Sequence, residues 1–168
     1  MTQTLARRDE ADMQVLVTGA TGFVGRAVVG RLLQAGYGVV AATRRDVPTM
    51  PDTGVRWRVV GPVDGTTDWR PVLTDVDAVI HLVARTHRPG ETAGAAEAYR
   101  TVNVAGTRRL AEQARAAGVR RVVFVSSIKA QAERSERPLN EDDHPTPEDI
   151  YGDRKSTRLN SSHRLRSR

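Results

Sequence analysis

Gly19, Gly22 and Gly25 stand three apart directly behind a short apolar run, Val15-Leu16-Val17-Thr18. Glycines in that position can hold phosphate. Gly19 lets the chain turn sharply off a strand. Gly22 lets the main chain approach a pyrophosphate, where any Cβ would intrude. Gly25 lets a following helix pack close to the strand. From Val24 onward, Val28, Val29, Leu32 and Leu33 recur at helical spacing. The N-terminus of such a helix offers unpaired N–H groups and the positive end of its dipole. Val15 to Gly25 therefore reads as strand, phosphate loop and helix, with Gly19, Thr21, Gly22, Phe23, Val24 and Gly25 as candidate dinucleotide contacts. The spacing is G-x-x-G-x-x-G and not the commoner G-x-G-x-x-G. Its weight comes from the strand before it and the amphipathic helix behind it.

A second chemical position comes some 20 residues on, at the end of the next apolar run, Val39-Val40-Ala41-Ala42-Thr43. A carboxylate there would accept the 2′-hydroxyl of an adenosine ribose, whereas an arginine would suit a 2′-phosphate. The chain offers Thr43, Arg44 and Arg45, with its first carboxylate at Asp46. This leans towards NADP.

The elements that must position these residues can be read in order. Gly36 closes the first helix and Gly38 opens the second strand. Val55 to Val60 alternate as a third strand, and Asp68 to Leu73 read as a short helix, with Trp69 a packing residue. Asp77 to Ala84 is nearly all apolar, as a strand covered on both faces should be. His81 within it is expected to be satisfied by local backbone and not to act as a base. Ala93 to Ala117 is a long Ala-rich helix, with Tyr99, Val102, Ala105 or Gly106 and Leu110 on one face. Asn103 sits mid-helix, where its propensity is poor, so it either bonds a neighbouring strand or is exposed. Gly118 ends this helix, and Arg121 to Val125 is a fifth strand ending at Ser126-Ser127. Residues 129–149 read as a surface loop near the mouth of a site. The alternation argues an α/β fold with a doubly wound parallel sheet. Ligands bind at the carboxyl ends of such strands, which sets the Gly19 loop, Thr43 to Arg45, Ala84 and Ser127 along one rim.

Composition narrows the class. No apolar run approaches the roughly 18 residues that cross a bilayer. Met1 to Asp12 is polar, lacks the apolar core of a secretory signal, and reads as a disordered tail. The chain has no cysteine, which excludes thiolate metal sites and fits a cytoplasmic location; no metal site is expected. The formal net charge is +6. Residues 1–152 hold 20 basic and 19 acidic residues, net +1, while residues 153–168 hold six basic and one acidic, net +5. The basicity is a tail property and not a binding face, so neither nucleic acid nor membrane is expected as a partner.

Several separated stretches then match one family in order and spacing: Thr18-Gly19-x-x-Gly22-Phe23-Val24-Gly25, His81-Leu82-Val83-Ala84, Asn103-Val104-x-Gly106-Thr107, Ser126-Ser127 and Tyr151-x-x-x-Lys155. Together they resemble the extended short-chain dehydrogenases/reductases, the NAD-dependent epimerase/dehydratase group. Ser126-Ser127-Ile128-Lys129 and Tyr99-Arg100-x-Val102-Asn103 look most like bacterial nucleotide-sugar 4-epimerases and 4-ketoreductases. The resemblance covers about residues 13–152 and implies a Rossmann domain of which this is the N-terminal part. It implies NAD or NADP as cofactor, with Leu82, Val83, Ala84 and Asn103 added to the cofactor contacts, a nucleotide-sugar substrate and a homodimeric parent. Gly61-Pro62-Val63 stands where the family often has Gly-Asp, so Val63 occupies a departure at the usual adenine contact. The implied catalytic residues are Ser127, Tyr151 and Lys155. A phenol titrates near pH 10, and an ammonium one helical turn away favours phenolate. Tyr151 could then take the proton of a substrate hydroxyl while Ser127 orients the same oxygen.

After Gly152 the chain reads DRKSTRLNSSHRLRSR, without apolar periodicity. This stretch resembles one reading frame of a sequencing-adapter oligonucleotide. The expected organisation is therefore a tail over 1–12, an incomplete dinucleotide-binding domain without its substrate lobe over 13–152, and a non-native or disordered basic tail over 153–168 that includes Lys155. The expected function is hydride transfer at a sugar C4 by the parent enzyme. The alternatives are a non-catalytic NAD(P)-binding sensor of the same fold and an inactive truncated product.

Overall fold

The computed structural model describes residues 12–46, 54–86, 95–132, 134–140 and 142–146. The chain separates into two compact units. The first takes in the residues up to Pro62 with Thr67–Leu82 and Leu110–Phe124; the second takes in Val63–Thr66, Val83–Arg109 and the residues from Val125 onward.

The first unit is built on five strands: β1 (Gln14–Thr18), β2 (Gly38–Thr43), β3 (Val55–Val59), β4 (Ala78–His81) and β5 (Arg121–Phe124). They form one parallel sheet in the order β3-β2-β1-β4-β5. Parallel neighbours need crossovers, and α1 (Phe23–Gln34) supplies the one from β1 to β2. The chain builds outward from β1 through β2 and β3, then returns to the other side of β1 with β4. That reversal is the switch point of a doubly wound sheet, as the glycine-punctuated alternation predicts.

Packing reflects strand alternation. Val15, Val17, Val39 and Ala41 form a buried cluster with Ala20 and Val29, flanked by Val28, Leu32, Leu33, Val55, Trp57, Ile80 and Leu82. Alternate strand residues thus meet the 28/29/32/33 stripe of α1. Leu16, Val40 and Val79, which point the other way, are buried as well. The inner strands are covered on both faces, which their continuous apolar runs require. Helix α1 ends where Gly36 adopts φ +83°. There the Gly36 and Tyr37 N–H groups donate back to the Leu33 and Leu32 carbonyls, a Schellman closure.

Strand ends differ from the sequence reading. β3 stops at Val59, β4 at His81 and β5 at Phe124, so Leu82 to Ala84 lie beyond the ladder. β5 is less covered than its apolar sequence suggests, with Val123 42% exposed. It is one of the two edge strands of the described sheet, with β3 at the other edge, and both are less buried than the inner strands. Trp69 is fully buried, as a packing residue should be. Its backbone N–H donates to Gln113 Oε1 (2.7 Å), and Gln113 Nε2 donates to the Thr67 carbonyl (3.1 Å).

The expected single helix over 93–117 is interrupted. Behind the short helix α2 (Arg70–Leu73), it comprises α3 (Ala95–Tyr99), a π-helical turn (Arg100–Gly106) and α4 (Thr107–Ala116). Within the second unit, Gly106 lets this turn approach the Val63 segment. A Cβ at Gly106 would sit 2.8 Å from Val63 Cγ1 and 3.3 Å from the Asp64 nitrogen. Farther on, a 3-10 turn spans Ile128–Ala130, and Ala132 bridges to Thr146. No helix among the described residues is long and apolar enough to cross a membrane.

Candidate functional site

The carboxyl end of β1 carries the glycine loop. Gly19 takes φ +72°, a conformation glycine reaches without a Cβ penalty. The Gly22 N–H donates to the Gly19 carbonyl at 3.0 Å and closes the turn. Gly22 then serves as the N-cap of α1 in an extended conformation, with no side-chain cap and no acidic residue in the first turn. The helix therefore opens with N–H groups that no local carboxylate or hydroxyl takes up. Arg26 Nε donates to the Thr21 carbonyl (3.1 Å) and fastens the loop from the helix side.

Space at the loop is consistent with a bound pyrophosphate. A Cβ on Gly22 would lie 3.2 Å from the Gly19 carbonyl oxygen. A Cβ on Gly25 would come within 2.1 Å of the same oxygen and 2.8 Å of the Ala20 backbone. Gly22 thus keeps the approach open, and Gly25 sets the helix against the strand. Phe23 is 97% exposed and Val24 51% exposed, an unusual display of apolar side chains on the first turn of a core helix. The bare donors, the open approach and the apolar rim fit a dinucleotide.

β2 ends beside this loop. Thr18 pairs with Ala42, so Thr43 is one residue beyond that pair, as Gly19 is on β1. Thr43 is buried, and its hydroxyl donates to the Arg45 carbonyl at 2.8 Å. Arg44 and Arg45 are exposed.

The end of β4 is tied to β1 by a buried side-chain bond. Thr18 Oγ1 and His81 Nδ1 lie 2.6 Å apart, each residue 1% exposed. The Leu82 N–H reaches both the Thr18 carbonyl and its hydroxyl, each at 3.3 Å. The His81 ring thus has a side-chain partner on the neighbouring strand. Parallel register puts Thr18 opposite His81 on one face, which brings the hydroxyl within reach of the imidazole. Thr18 is the residue that sequence reasoning misses. The signal available is a hydroxyl at the last position of β1 and an imidazole at the last position of β4.

In the second unit, Asn103 resolves its own ambiguity. It is fully buried. Its Oδ1 accepts the Arg85 N–H (2.8 Å) and its Nδ2 donates to the Arg85 carbonyl (2.9 Å). The bonded segment is the loop directly behind Ala84 and not a strand. The Arg85 guanidinium lies 5.5 Å from the centre of the Tyr99 ring, within cation–π range. Asn103 falls within the π turn, a helical irregularity often found at functional sites. Val83 and Ala84 are half-buried, and Val63 is buried against Gly106. Ser127 is the N-cap of the 3-10 turn, where its Oγ accepts the Lys129 N–H at 3.3 Å. Ser126 Oγ is buried without a hydrogen-bond partner among the described residues.

The structure thus gathers the glycine loop, Thr43 to Arg45 and Leu82 in the first unit. Val63, Val83, Ala84, Asn103 and Ser127 belong to the second. Tyr151 and Lys155 lie outside the described residues.

Comparison with known proteins gives a consistent picture. Residues 15–163 match the model of the NAD dependent epimerase/dehydratase family. A UDP-glucose 4-epimerase of Vibrio cholerae is 40% identical over 146 residues, covering 84% of this chain and 44% of that protein. A short-chain dehydrogenase/reductase superfamily protein of Agrobacterium tumefaciens, solved with bound NAD, superposes with a TM-score of 0.74 at 36% identity. That match covers 92% of this chain and 46% of that one. MoeE5, solved with UDP-glucose and NAD, gives a TM-score of 0.77 at 33% identity, covering 92% of this chain and 50% of that one. The chain spans about half the length of the relatives it matches.

Proposed function

The chain belongs to the NAD-dependent epimerase/dehydratase family, and from that premise we propose that it is the cofactor-binding part of an enzyme acting at C4 of a nucleotide sugar. The reaction is epimerisation or reduction of a 4-keto sugar, with a nicotinamide dinucleotide as cofactor. The observation that carries this reading is the uncapped N-terminus of α1 behind a Gly19 turn, at the switch point of a parallel sheet. Backbone donors at that place suit a pyrophosphate. The sugar nucleotide is suggested by relatives described as a UDP-glucose 4-epimerase and as a complex with UDP-glucose and NAD.

In this reading Gly19, Thr21, Gly22, Phe23, Val24 and Gly25 hold the pyrophosphate, and Thr43 to Arg45 face the adenosine ribose. Val63 lies on the adenine side. Leu82, Val83 and Ala84 line the dinucleotide. Asn103 positions that lining by fixing the Arg85 backbone from both sides. When bound, the nicotinamide ring supplies a hydride acceptor and donor. The chain's own part is proton transfer and orientation. Tyr151 removes the proton of the sugar hydroxyl and returns it later, an ammonium at the position Lys155 occupies holds the phenol towards phenolate in the whole enzyme, and Ser127 hydrogen-bonds the reacting oxygen.

The test is Tyr151→Phe, with turnover of UDP-sugars and cofactor binding measured on the same preparations. Loss of turnover with unchanged cofactor affinity is the expected result. Turnover at the parent rate overturns the assignment. If the parent chain binds cofactor but turns over no sugar nucleotide, the fold serves as a binding module and not as an enzyme.

A further inference from the structure

We infer that Gln131 is a positioning residue: it ties the turn that carries Ser127 to the stretch that leads into Tyr151. The inference rests on the reading of Ser127 and Tyr151 as the reacting pair. It goes beyond that reading by naming what brings their two segments together. Gln131 acts through these two residues and not on the reacting atoms.

Gln131 stands where the 3-10 turn of the second unit ends. Ser127 caps the start of that turn, and the Gln131 N–H donates to the Ile128 carbonyl (2.8 Å) at its close. Ala130 and Ala132 on either side are buried. Gln131 is therefore fixed four residues from Ser127. Its polar groups are then spent on residues 9 to 15 positions farther on. Nε2 donates to the Asp143 carbonyl at 2.6 Å and to the Asn140 carbonyl at 3.3 Å. The Gln131 carbonyl accepts the Thr146 N–H at 2.7 Å and the Thr146 hydroxyl at 3.4 Å. The neighbouring Ala132 pairs with Thr146 in a parallel bridge.

The far segment is shaped to meet that amide. The Arg137 guanidinium takes both oxygens of the Asp143 carboxylate, and the Asn140 N–H donates to the same carboxylate at 2.8 Å. These bonds turn the carbonyls of Asn140 and Asp143 towards one donor group. A primary amide suits the place, with two N–H donors for two carbonyls and no charge to desolvate. Ser127 and Tyr151 are 24 residues apart in sequence. Through Gln131 and Thr146 the path is four residues on one side and five on the other. The shorter path narrows the range of positions open to the phenol relative to the hydroxyl. Misplacing a reacting group by about 1 Å can cost up to about a hundredfold in rate.

The experiment compares Gln131→Ala and Gln131→Glu in the whole enzyme, with UDP-sugar turnover per cofactor-binding site and cofactor affinity measured on the same preparations. Gln131→Ala should lower kcat about tenfold or more and leave cofactor affinity within about twofold. Gln131→Glu keeps the shape but sets a carboxylate against the two carbonyls. As pH falls the carboxyl gains a proton and can donate again. The kcat ratio of Gln131→Glu to Gln131→Ala should therefore rise from about one near pH 8 to about threefold or more near pH 5. A role in folding alone would not give this rescue. In the 168-residue chain, Gln131→Ala should lower the protection factor of the Thr146 amide about fivefold or more. Unchanged kcat in both variants, a flat kcat ratio across pH, or unchanged protection at Thr146 overturns the inference and leaves the reading of Ser127 and Tyr151 standing. Loss of cofactor affinity together with kcat shows Gln131 to serve the fold and also overturns it. A whole enzyme that turns over no UDP-sugar before any substitution overturns both.

Discussion

Two glycines of α1 allow the same chemical change to be made with opposite consequences. Gly30 lies in the helix interior, and a Cβ added there meets nothing within 4 Å. Alanine is favoured over glycine in a helix by about 0.8–1 kcal/mol, so Gly30→Ala should stabilise the chain by that amount. For a chain of this size that is about 2–4 °C in Tm. Gly25 offers the same intrinsic gain, but its added Cβ would lie 2.1 Å from the Gly19 oxygen and 2.8 Å from two Ala20 backbone atoms. None of these is a flexible side-chain end. Relief requires the helix to retreat by about 1.4 Å, since such contacts relax only near 3.5 Å. Overpacking of this kind costs about 1–3 kcal/mol, and against rigid backbone the upper end applies. Subtracting the helix gain leaves Gly25→Ala less stable by about 2 kcal/mol, or roughly 4–8 °C in Tm. Urea unfolding followed by far-ultraviolet circular dichroism reads both values, with the slope unchanged in each case. A Gly25→Ala chain as stable as Gly30→Ala would refute the packing of α1 on the loop from which these numbers come.

The buried and loop hydrogen bonds carry further consequences. Asn103→Ala removes both partners of the Arg85 backbone and should cost about 2–4 kcal/mol, with faster amide exchange at Arg85 as the local readout. Asn103→Asp should restore the bond to the N–H but set a carboxylate against the Arg85 carbonyl, so it should recover only part of the loss. In the 134–146 loop, the Arg137 guanidinium first and the Asn140 N–H second hold the Asp143 carboxyl below its ordinary value. A folded value that is lowered gives a contribution fully present above the ordinary carboxylate value, near pH 4, and lost as pH falls through the lowered one. The protection factor of the Asn140 amide, which donates to Asp143 at 2.8 Å, should therefore fall in that acid window. Asp143→Asn should leave that protection factor low at neutral pH and flat across the range.

Much of the architecture is legible in the sequence because the sheet is buried on both faces. Continuous Val, Ile and Ala runs mark β1, β2 and β4, and glycines at 19, 36 and 118 mark the turns that need φ above zero. The features that escape depend on register or on long-range bonds. Asn103 has a poor helical propensity, so helical spacing alone puts Val102 on the buried face instead. The burial of Asn103 becomes reasonable only once the Arg85 backbone is known to need two partners. The π turn around it is not marked by helical spacing, although its last residue, Gly106, is the one that admits Val63. The Thr18–His81 pair is missed for a related reason: its two strand-end residues are visible, but residues 63 apart meet only when β1 and β4 are aligned. The loop chemistry is readable because it is local, a few backbone groups fixed by three nearby glycines.

The central claim is that the bare N-terminus of α1 binds the pyrophosphate of a nicotinamide dinucleotide. Gly22→Ala tests it most directly. Gly22 is extended, with φ −73°, which any residue adopts, and the new Cβ meets only the Gly19 oxygen at 3.2 Å. The fold should survive with little change in unfolding free energy, while dinucleotide affinity measured by titration calorimetry should fall about tenfold, or about 1.4 kcal/mol. A Gly22→Ala chain that binds as tightly as the parent would place the dinucleotide elsewhere and contradict the account.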